Sequence, residues 1–188
     1  RDPDNHRSSA STRGALVLDY LKADAPPQPY LETLAGDPRS FNGFNLIAGN
    51  RDEVFVYSNI DNAIRPVEAG VHGVSNHLWN TPWPKLAKGR RYLSSLLNLD
   101  PSSWSSALMR FLSNSTPAPD SALPDTGVGL AMERPLSAPF VKMPAFNYGT
   151  RCSTVVTVHR GGLLVATERS FDSDGQTTGE ITLRGRVG

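Results

Sequence analysis

The sequence predicts an α+β fold in which antiparallel β-sheet is covered by helices. Two hairpin signals predict the sheet, because Gly49-Asn50-Arg51-Asp52 and Arg160-Gly161-Gly162 each separate two apolar stretches. Between these strand pairs, residues 85–97 and 104–112 repeat apolar side chains at helical spacing. Strand pairs, then helices, then strand pairs again indicate helices packed on a sheet.

The first part of the chain predicts two short helices ahead of the first hairpin. Ser11 or Thr12 can cap the first helix, and Pro26-Pro27 ends it. Gly36-Asp37-Pro38 ends the second helix. The predicted elements are helices over 16–21 and 30–34, strands over 44–48 and 53–58, a short strand near 65–67 and a strand-like stretch over 71–75.

A long segment in the second half lacks regular periodicity. Residues 114–139 are rich in Pro, Ser, Asp and Gly, which predicts a long surface excursion. Three more strands are predicted over 153–159, 163–170 and 180–183. The 188 residues are expected to form a single domain, 1–188, that buries its own core.

Composition and charge exclude several classes of function. The formal net charge is +1 without a basic block, so a nucleic-acid partner is not expected. No apolar run reaches roughly 20 residues, the length that crosses a bilayer, so no transmembrane segment is expected. The single cysteine, Cys152, excludes an internal disulfide and suits a reducing compartment such as the cytoplasm.

The most unusual stretch lies at residues 70–88, with the sequence GVHGVSNHLWNTPWPKLAK. Polar, aromatic and turn-forming residues stand here where an ordinary core has aliphatic ones. Pro82 or Pro84 can open the helix that follows. A loop this polar needs hydrogen-bond partners for its side chains, or a ligand that supplies them. The stretch therefore predicts a binding site.

Several ordered motifs carry a family resemblance. They are Tyr30-Leu31, FNGFNLIA at 41–48, GVSN at 73–76, TPWPKL at 81–86, YGTR at 148–151 and TERS at 167–170. Together they resemble the NRDE family, also called the Transport and Golgi organization protein 2 family. The resemblance implies an αββα sandwich of antiparallel sheets covered by helices, as in N-terminal-nucleophile hydrolases.

The same resemblance implies a nucleophile that is missing from this chain. Family members begin Met-Cys, and the Cys exposed by methionine removal is the candidate nucleophile, with the Asn-Arg-Asp-Glu motif following soon after. This chain begins at Arg1, so it is expected to start downstream of that Cys-containing segment and to lack the first strands of the fold. As a hydrolase it is expected to be inactive in this form.

The letters of the family motif occur in this chain at an unexpected place. Asn50-Arg51-Asp52-Glu53 spells the same four letters, but it follows a predicted strand where the family has a variable hairpin turn. Asn and Asp are ordinary turn residues. The interpretation preferred here is a hairpin turn.

Asn76 and Arg151 are the candidate catalytic residues. Related bile-salt hydrolases and penicillin acylases place an Asn and an Arg beside the nucleophile, and these two residues look like their counterparts. An Asn76 amide could stabilise a developing oxyanion, and Arg151 could hold a carboxylate or lower a thiol pKa. Two plainer interpretations stay open: Asn76 bonds backbone groups at a strand end, and Arg151 anchors its strand through an ion pair.

The candidate ligand-binding residues are Asn76, His77, Trp79, Trp83, Tyr148 and Arg151. His72 and His77 lie five residues apart with no third ligand in view, so no metal site is predicted and a structural or surface role is favoured. Trp79 and Trp83 could wall a flat or acyl ligand, although tryptophans in such turns usually pack against neighbours. Cys152 is predicted to be a buried, unreactive thiol, because alternation points it away from Arg151.

Three functions are considered on this basis. The first is a binding or trafficking protein for a small ligand, with haem or an acyl lipid implied by the resemblance and no cofactor required. Haem would then be a transported ligand, since no axial-ligand motif is present. The resemblance allows a mitochondrial or secretory association in a eukaryote. The alternatives are an amidohydrolase whose Cys lies upstream, and a fragment whose open strand edges a partner chain completes.

Overall fold

A computed structural model describes Arg7 and residues 10–187 of the chain. These residues form five α-helices and three antiparallel sheets. The predicted combination of helices with antiparallel sheet is therefore confirmed. The chain divides into two compact units, one ending at Thr81 and the other beginning at Pro82. The single-domain boundaries stay a prediction, and the two units are described in turn.

The first unit contains two helices and one three-stranded sheet. Its elements are α1 (Gly14–Lys22), α2 (Pro27–Ala35), β1 (Asn45–Gly49), β2 (Val54–Ser58) and β3 (Ala63–Pro66). The central strand is β2, and the register pairs Ile47 with Val56 and Tyr57 with Ile64. The predicted first hairpin and the short third strand are confirmed.

The ends of α1 and α2 differ from the sequence prediction. Arg13 occupies the N-cap of α1 without a side-chain cap, so the expected cap from Ser11 or Thr12 is wrong. Ser11 instead forms an isolated parallel bridge with Phe41. Pro27 begins α2 rather than only ending α1, because a proline at the first helical turn loses no intrahelical hydrogen bond.

The core of the first unit lies between the helices and one face of the sheet. Leu31 and Tyr57 are 0% exposed, and Phe44 meets Tyr57 edge to face with ring centroids 5.6 Å apart. Tyr30 Oη donates to the Leu16 carbonyl at 2.6 Å, which joins α2 to α1. Burial raises the pKa of the Tyr30 phenol, and the nearby Asp19 carboxylate raises it further. The first unit therefore has an apolar core whose buried hydroxyls are hydrogen-bonded.

Residues 71–75 are irregular, so the predicted strand-like stretch there is wrong. The backbone N–H of Gly73 donates to the Asn80 side chain, and the Gly73 carbonyl accepts from the Asn80 N–H. These backbone groups are used within the loop, which leaves them unavailable for a β-ladder. Alternating residue types alone could not reveal this local closure.

The second unit contains three helices and two antiparallel sheets. Its elements are α3 (Pro84–Leu96), α4 (Trp104–Leu112), α5 (Leu130–Leu136), β4 (Lys142–Met143), β5 (Tyr148–Gly149), β6 (Cys152–Val158), β7 (Leu163–Phe171) and β8 (Thr177–Arg186). One sheet pairs β4 with β5, and the other has the order β6-β7-β8. Helix α4 packs against β6. No helix in the described part of the chain is long and apolar enough to span a membrane.

The segment 114–139 contains a 3₁₀ turn over Asp120–Ala122 as well as α5. Glu133 is buried, and one of its carboxylate oxygens accepts from the Thr126 N–H at 3.0 Å and from the Thr126 hydroxyl. Arg134 pairs with Asp120 at 2.6 Å across the segment. These contacts give local structure to a stretch whose sequence shows no periodicity.

Cys152 is exposed, which corrects the predicted buried thiol. Its neighbour Ser153 is the buried residue, on the face of β6 that carries buried Val155. Arg151 is exposed as well. Alternation along β6 separates Cys152 from buried Ser153, but it could not show that the Cys152 side of the strand is exposed.

Candidate functional site

The Asn50-Arg51-Asp52-Glu53 segment forms the turn between β1 and β2, as predicted. Asn50 Oδ1 accepts from the backbone N–H groups of Asp52 at 2.9 Å and of Glu53 at 3.0 Å. All four residues are exposed. An asparagine that bonds the backbone two and three residues ahead is a local turn device, and nothing about it requires a ligand.

The polar 70–81 loop of the first unit is closed by Asn80. Its side-chain oxygen accepts from the Gly73 N–H at 3.1 Å, and its backbone N–H donates to the Gly73 carbonyl at 2.9 Å. Asn80 has φ 59°, in the left-handed region that asparagine tolerates better than most residues. Through these two bonds to Gly73, Asn80 fixes the shape of the loop.

His72 has a structural role in this loop. Its Nδ1 lies 3.0 Å from Asn80 Nδ2, an obligate donor, so Nδ1 is the acceptor. The proton then sits on Nε2, which donates to the Glu68 carbonyl at 3.0 Å. The imidazole also stacks on Trp79, with centroids 5.6 Å apart and planes inclined by 17°. Trp79 thus offers at most its other face to a ligand.

His77 is exposed and belongs to the same loop. Its Nδ1 is 2.8 Å from Thr81 Oγ1, and that hydroxyl donates to the Leu78 carbonyl at 2.9 Å. Because the hydroxyl proton is used on Leu78, the neutral His77 ring donates through Nδ1. The His77 backbone is held too, since Asn45 Nδ2 donates to its carbonyl at 3.0 Å.

Asn45 is a residue of this region that the sequence did not single out. Within the described residues, its Oδ1 is the buried side-chain atom that lacks a hydrogen-bond partner. The hydrogen bond from Nδ2 to the His77 carbonyl sets the orientation of the amide. The atom without a partner is therefore the oxygen, and not a nitrogen placed the wrong way round. One signal was present: asparagine is disfavoured in strands, yet it opens β1 inside a family motif.

The side chain of Asn76 projects from this braced loop and is exposed. In the part of the chain that the structure describes, it makes no hydrogen bond. Its amide therefore does not bond the backbone at a strand end, the plainer interpretation of this residue. Asn76, His77 and Trp79 lie on one loop, and that loop is held at Asn45, Thr81 and Asn80.

The other candidate residues belong to the second unit. Trp83 is half-buried at the N-cap of α3, where its carbonyl accepts from the Ala87 N–H at 2.9 Å. Tyr148 on β5 is 51% exposed. Arg151 directly precedes β6, and its backbone carbonyl accepts from the Phe171 N–H at 2.9 Å. Its guanidinium makes no ion pair among the described residues, so the predicted anchoring ion pair is not present there.

Lys85 lies two residues beyond Trp83 and is a partly buried cation of the second unit. Its Nζ donates to the Leu136 carbonyl at 2.9 Å, which joins α3 to the end of α5. Burial lowers the pKa of the Lys85 ammonium, and the Glu133 carboxylate partly opposes that shift. Among residues 7 and 10–187, no cluster of three or more His, Cys, Asp or Glu side chains could hold a metal ion.

Comparison with known proteins extends the motif resemblance over most of the chain. The family model described as Transport and Golgi organisation 2 matches residues 1–173. The Transport and Golgi organization protein 2 homolog of Bos taurus is 31% identical over 191 residues, which cover 93% of this chain and 67% of the relative. The Homo sapiens homolog is 32% identical over 176 residues, covering 86% and 63%.

A Mus musculus homolog is 28% identical over 173 residues, again covering 86% of this chain and 63% of the relative. The chain thus spans about two thirds of the length of these relatives. The match includes the 70–81 loop, the start of α3 and Arg151, which directly precedes β6. This chain belongs to the Transport and Golgi organisation 2 family.

Proposed function

We propose that this protein binds and carries a small ligand, haem or an acyl compound, on a hydrolase-like αββα scaffold. The observation that supports it most is the Asn76 amide, which is exposed and without a hydrogen-bond partner in the described residues, on a loop that hydrogen bonds of Asn45, Asn80 and Thr81 hold. A side chain that projects from a braced loop loses little conformational freedom when it meets a ligand. Asn76 would supply one hydrogen-bond donor and one acceptor.

Arg151, in the second unit, is taken by itself as a further candidate contact, one that would supply charge. Its backbone is held by Phe171, while its guanidinium makes no ion pair in the described part of the chain. A planar guanidinium forms two parallel hydrogen bonds with a carboxylate, a group that haem and fatty acids both carry. Exposed Tyr148, three residues earlier, would add aromatic contact for the apolar part of the ligand.

Haem would be held transiently rather than as a resident cofactor. The sequence has no axial-ligand motif, and His72 uses both of its ring nitrogens within the 70–81 loop. His77 donates through Nδ1 to Thr81, which fixes the orientation of its ring. A ligand held by polar and aromatic contacts dissociates more readily than haem held by a strong iron–imidazole bond. The single cysteine suits a reducing compartment such as the cytoplasm.

The test is titration of the full chain with haemin, followed by Soret absorbance, and separately with palmitate, followed by calorimetry. Asn76→Ala and Arg151→Gln are each expected to weaken binding of the true ligand by about tenfold, the loss of roughly 1.4 kcal/mol. Asn98→Ala and Arg91→Gln, at exposed positions on or next to α3, serve as matched controls. Unchanged affinity for both ligands in both site variants would overturn the proposal.

An amidohydrolase is the second candidate, because an exposed Asn76 amide suits oxyanion stabilisation and, considered separately, an Arg151 guanidinium without an ion pair among the described residues suits substrate orientation. Cys152 cannot serve as its N-terminal nucleophile, since it lies within the chain and has no α-amino group of its own. The longest natural form of the protein should be incubated with a panel of acyl amides, beside a form whose candidate N-terminal Cys is replaced by Ala. Turnover that disappears with that Cys would favour the enzyme, and no Cys-dependent turnover would remove it.

A further inference from the structure

The hydrogen bonds that close the 70–81 loop form a chain with a fixed direction. The Gly73 N–H donates to Asn80 Oδ1 at 3.1 Å, and Asn80 Nδ2 donates to His72 Nδ1 at 3.0 Å. The proton on His72 Nε2 is donated to the Glu68 carbonyl at 3.0 Å. Both ends of this chain are backbone groups, a donor at Gly73 and an acceptor at Glu68, and neither can change its role. The chain is therefore complete only while His72 Nδ1 carries no proton.

A second proton on the His72 ring breaks the chain in either orientation of the Asn80 amide. In the present orientation, Nδ1–H would face Asn80 Nδ2, so two donors meet. Turning the amide over gives Nδ1–H an acceptor, but it places Nδ2 against the Gly73 N–H, where two donors meet instead. A change of tautomer gives no relief, because both nitrogens of an imidazolium are donors. The protonated loop therefore loses one hydrogen bond of the chain.

The stack of the imidazole on Trp79 decides which bond is lost. The two ring centroids are 5.6 Å apart and the planes are inclined by 17°. A cation over an indole face is attracted to it, so protonation holds the ring more firmly against Trp79. A Cβ at Gly70 would lie only 3.1 Å from His72 Nε2, so the backbone there leaves the ring little room. The ring therefore stays in place, and the Asn80 side chain is the group that moves.

We propose that this hydrogen-bond chain is a pH-sensitive switch, in which a proton taken up by His72 loosens the loop that presents Asn76. Histidine changes its charge between about pH 8 and pH 5. The bond from the Asn80 N–H to the Gly73 carbonyl, at 2.9 Å, remains, so the loop loosens without unfolding. Asn76 then loses part of its bracing, and the affinity for the ligand falls because its amide must be ordered again on binding.

Two other titratable side chains belong to residues 67–81, those of Glu68 and His77. Glu68 is exposed, and it bonds the imidazole of His72 through its backbone carbonyl. Carboxylates ordinarily titrate below the pH range of the switch. His77 is the second histidine of the loop, and its ring bonds Thr81 rather than Asn80. Substitution of each histidine in turn therefore separates their effects.

Amide hydrogen exchange of Gly73, followed by NMR on the full chain at about pH 7.5 and about pH 5.5, tests the switch. After correction for the intrinsic rate, exchange of the Gly73 N–H is expected to be about tenfold faster at the lower pH, because one hydrogen bond is lost. His72→Gln offers an acceptor and a donor without titrating, so the acceleration should disappear. His77→Gln should keep it. No acceleration in the wild type, equal acceleration in His72→Gln, or its loss in His77→Gln would overturn the proposal.

Asn80→Asp should reverse the pH dependence. Its carboxylate accepts from the Gly73 N–H with one oxygen and from a protonated His72 Nδ1–H with the other, so the chain is then complete only when His72 carries both protons. Aspartate also tolerates the left-handed backbone of this position, φ 59°. Exchange of the Gly73 N–H is therefore expected to be slower at the lower pH. Side chains that served only as packing would give no such reversal, and its absence would overturn the proposal.

Ligand titration separates the switch from the proposed function, since loosening of the loop needs no ligand, whereas release rests on the ligand binding proposed above. Haemin and palmitate are titrated at both pH values. The ratio of the two affinities in the wild type is divided by the same ratio in His72→Gln, which cancels the titration of the ligand itself. A quotient of about ten is expected, matching the exchange response. A quotient near one beside a normal exchange response would refute Asn76 as the ligand contact and leave the switch standing.

Discussion

Asn80 and His72 close the 70–81 loop on each other: Asn80 Nδ2 donates to His72 Nδ1 at 3.0 Å while the imidazole lies on Trp79. The pair sets the tautomer of the histidine and the left-handed backbone of the asparagine together. Asn76, the best candidate for ligand contact, lies between them in the chain. The shape of the proposed site thus depends on two residues that need not touch the ligand.

Two substitutions of Asn80 separate its hydrogen bonds from its backbone conformation. Asn80→Gly keeps φ 59° accessible but removes two side-chain hydrogen bonds, so it is expected to cost about 1–3 kcal/mol in the free energy of unfolding. Asn80→Ala loses the same bonds and adds roughly 1 kcal/mol of left-handed backbone strain. Urea unfolding measures both. Equal stability of the two variants would show that the backbone conformation contributes nothing.

Asn45 offers a test of its orphan oxygen. Asn45→Leu removes the buried Oδ1 that lacks a partner along with the bond from Nδ2 to His77, so gain and loss partly cancel within about 1 kcal/mol. Asn45→Asp replaces the donor by an acceptor facing the His77 carbonyl, and it is expected to cost about 2–3 kcal/mol more than Asn45→Leu. Urea unfolding at neutral pH gives the comparison. An Asp variant as stable as the Leu variant would contradict the described geometry.

Lys85 should make stability depend on pH at the alkaline end. Burial lowers its folded-state pKa below the ordinary 10.5, so between those two values the unfolded chain binds more protons than the native chain. The Lys85 contribution to the free energy of unfolding therefore rises with pH through that window and is level below it. Lys85→Met removes this dependence, so the wild-type value minus the variant value should increase with pH there. Urea unfolding at a series of pH values measures it.

The control for that experiment is Lys88→Met, at an exposed position on the same helix. Because Lys85 is kept in this variant, the rise that Lys85 causes should persist across the same alkaline window. A flat difference between the wild type and Lys85→Met would mean that the Lys85 ammonium is not desolvated when the chain folds.

Leu31 should be the most sensitive aliphatic position of the first unit. Its side chain is 0% exposed, so Leu31→Ala leaves a cavity in the core and is expected to cost about 2–5 kcal/mol. Leu21→Ala on α1, at a side chain that is 73% exposed, should change stability by less than about 0.5 kcal/mol. Denaturant unfolding compares the two. Similar losses would place Leu31 outside the core.

Much of the local structure followed from the sequence. The β1–β2 hairpin, α3, α4 and the β6–β7 hairpin lie within one or two residues of their predicted bounds. Each depends on periodicity and on turn residues that act over a few positions. The turn at 50–53 was predicted for the same reason, because Asn50 bonds backbone groups only two and three residues away.

Other features depended on contacts that the sequence pattern does not encode. The alternation at 71–75 predicted a strand, but the structure has the loop that Asn80 closes. The role of Asn45 depends on its hydrogen bond to His77, which lies 32 residues away in the chain. Cys152 and Leu183 occupy alternating strand positions, but whether such a position is buried depends on what covers each face. By itself, the sequence determined the family, the helices and the hairpins, because neighbours in the chain decide those. Only the tertiary structure decided which sheet face is packed and which loop is braced, because both depend on residues far apart in the chain.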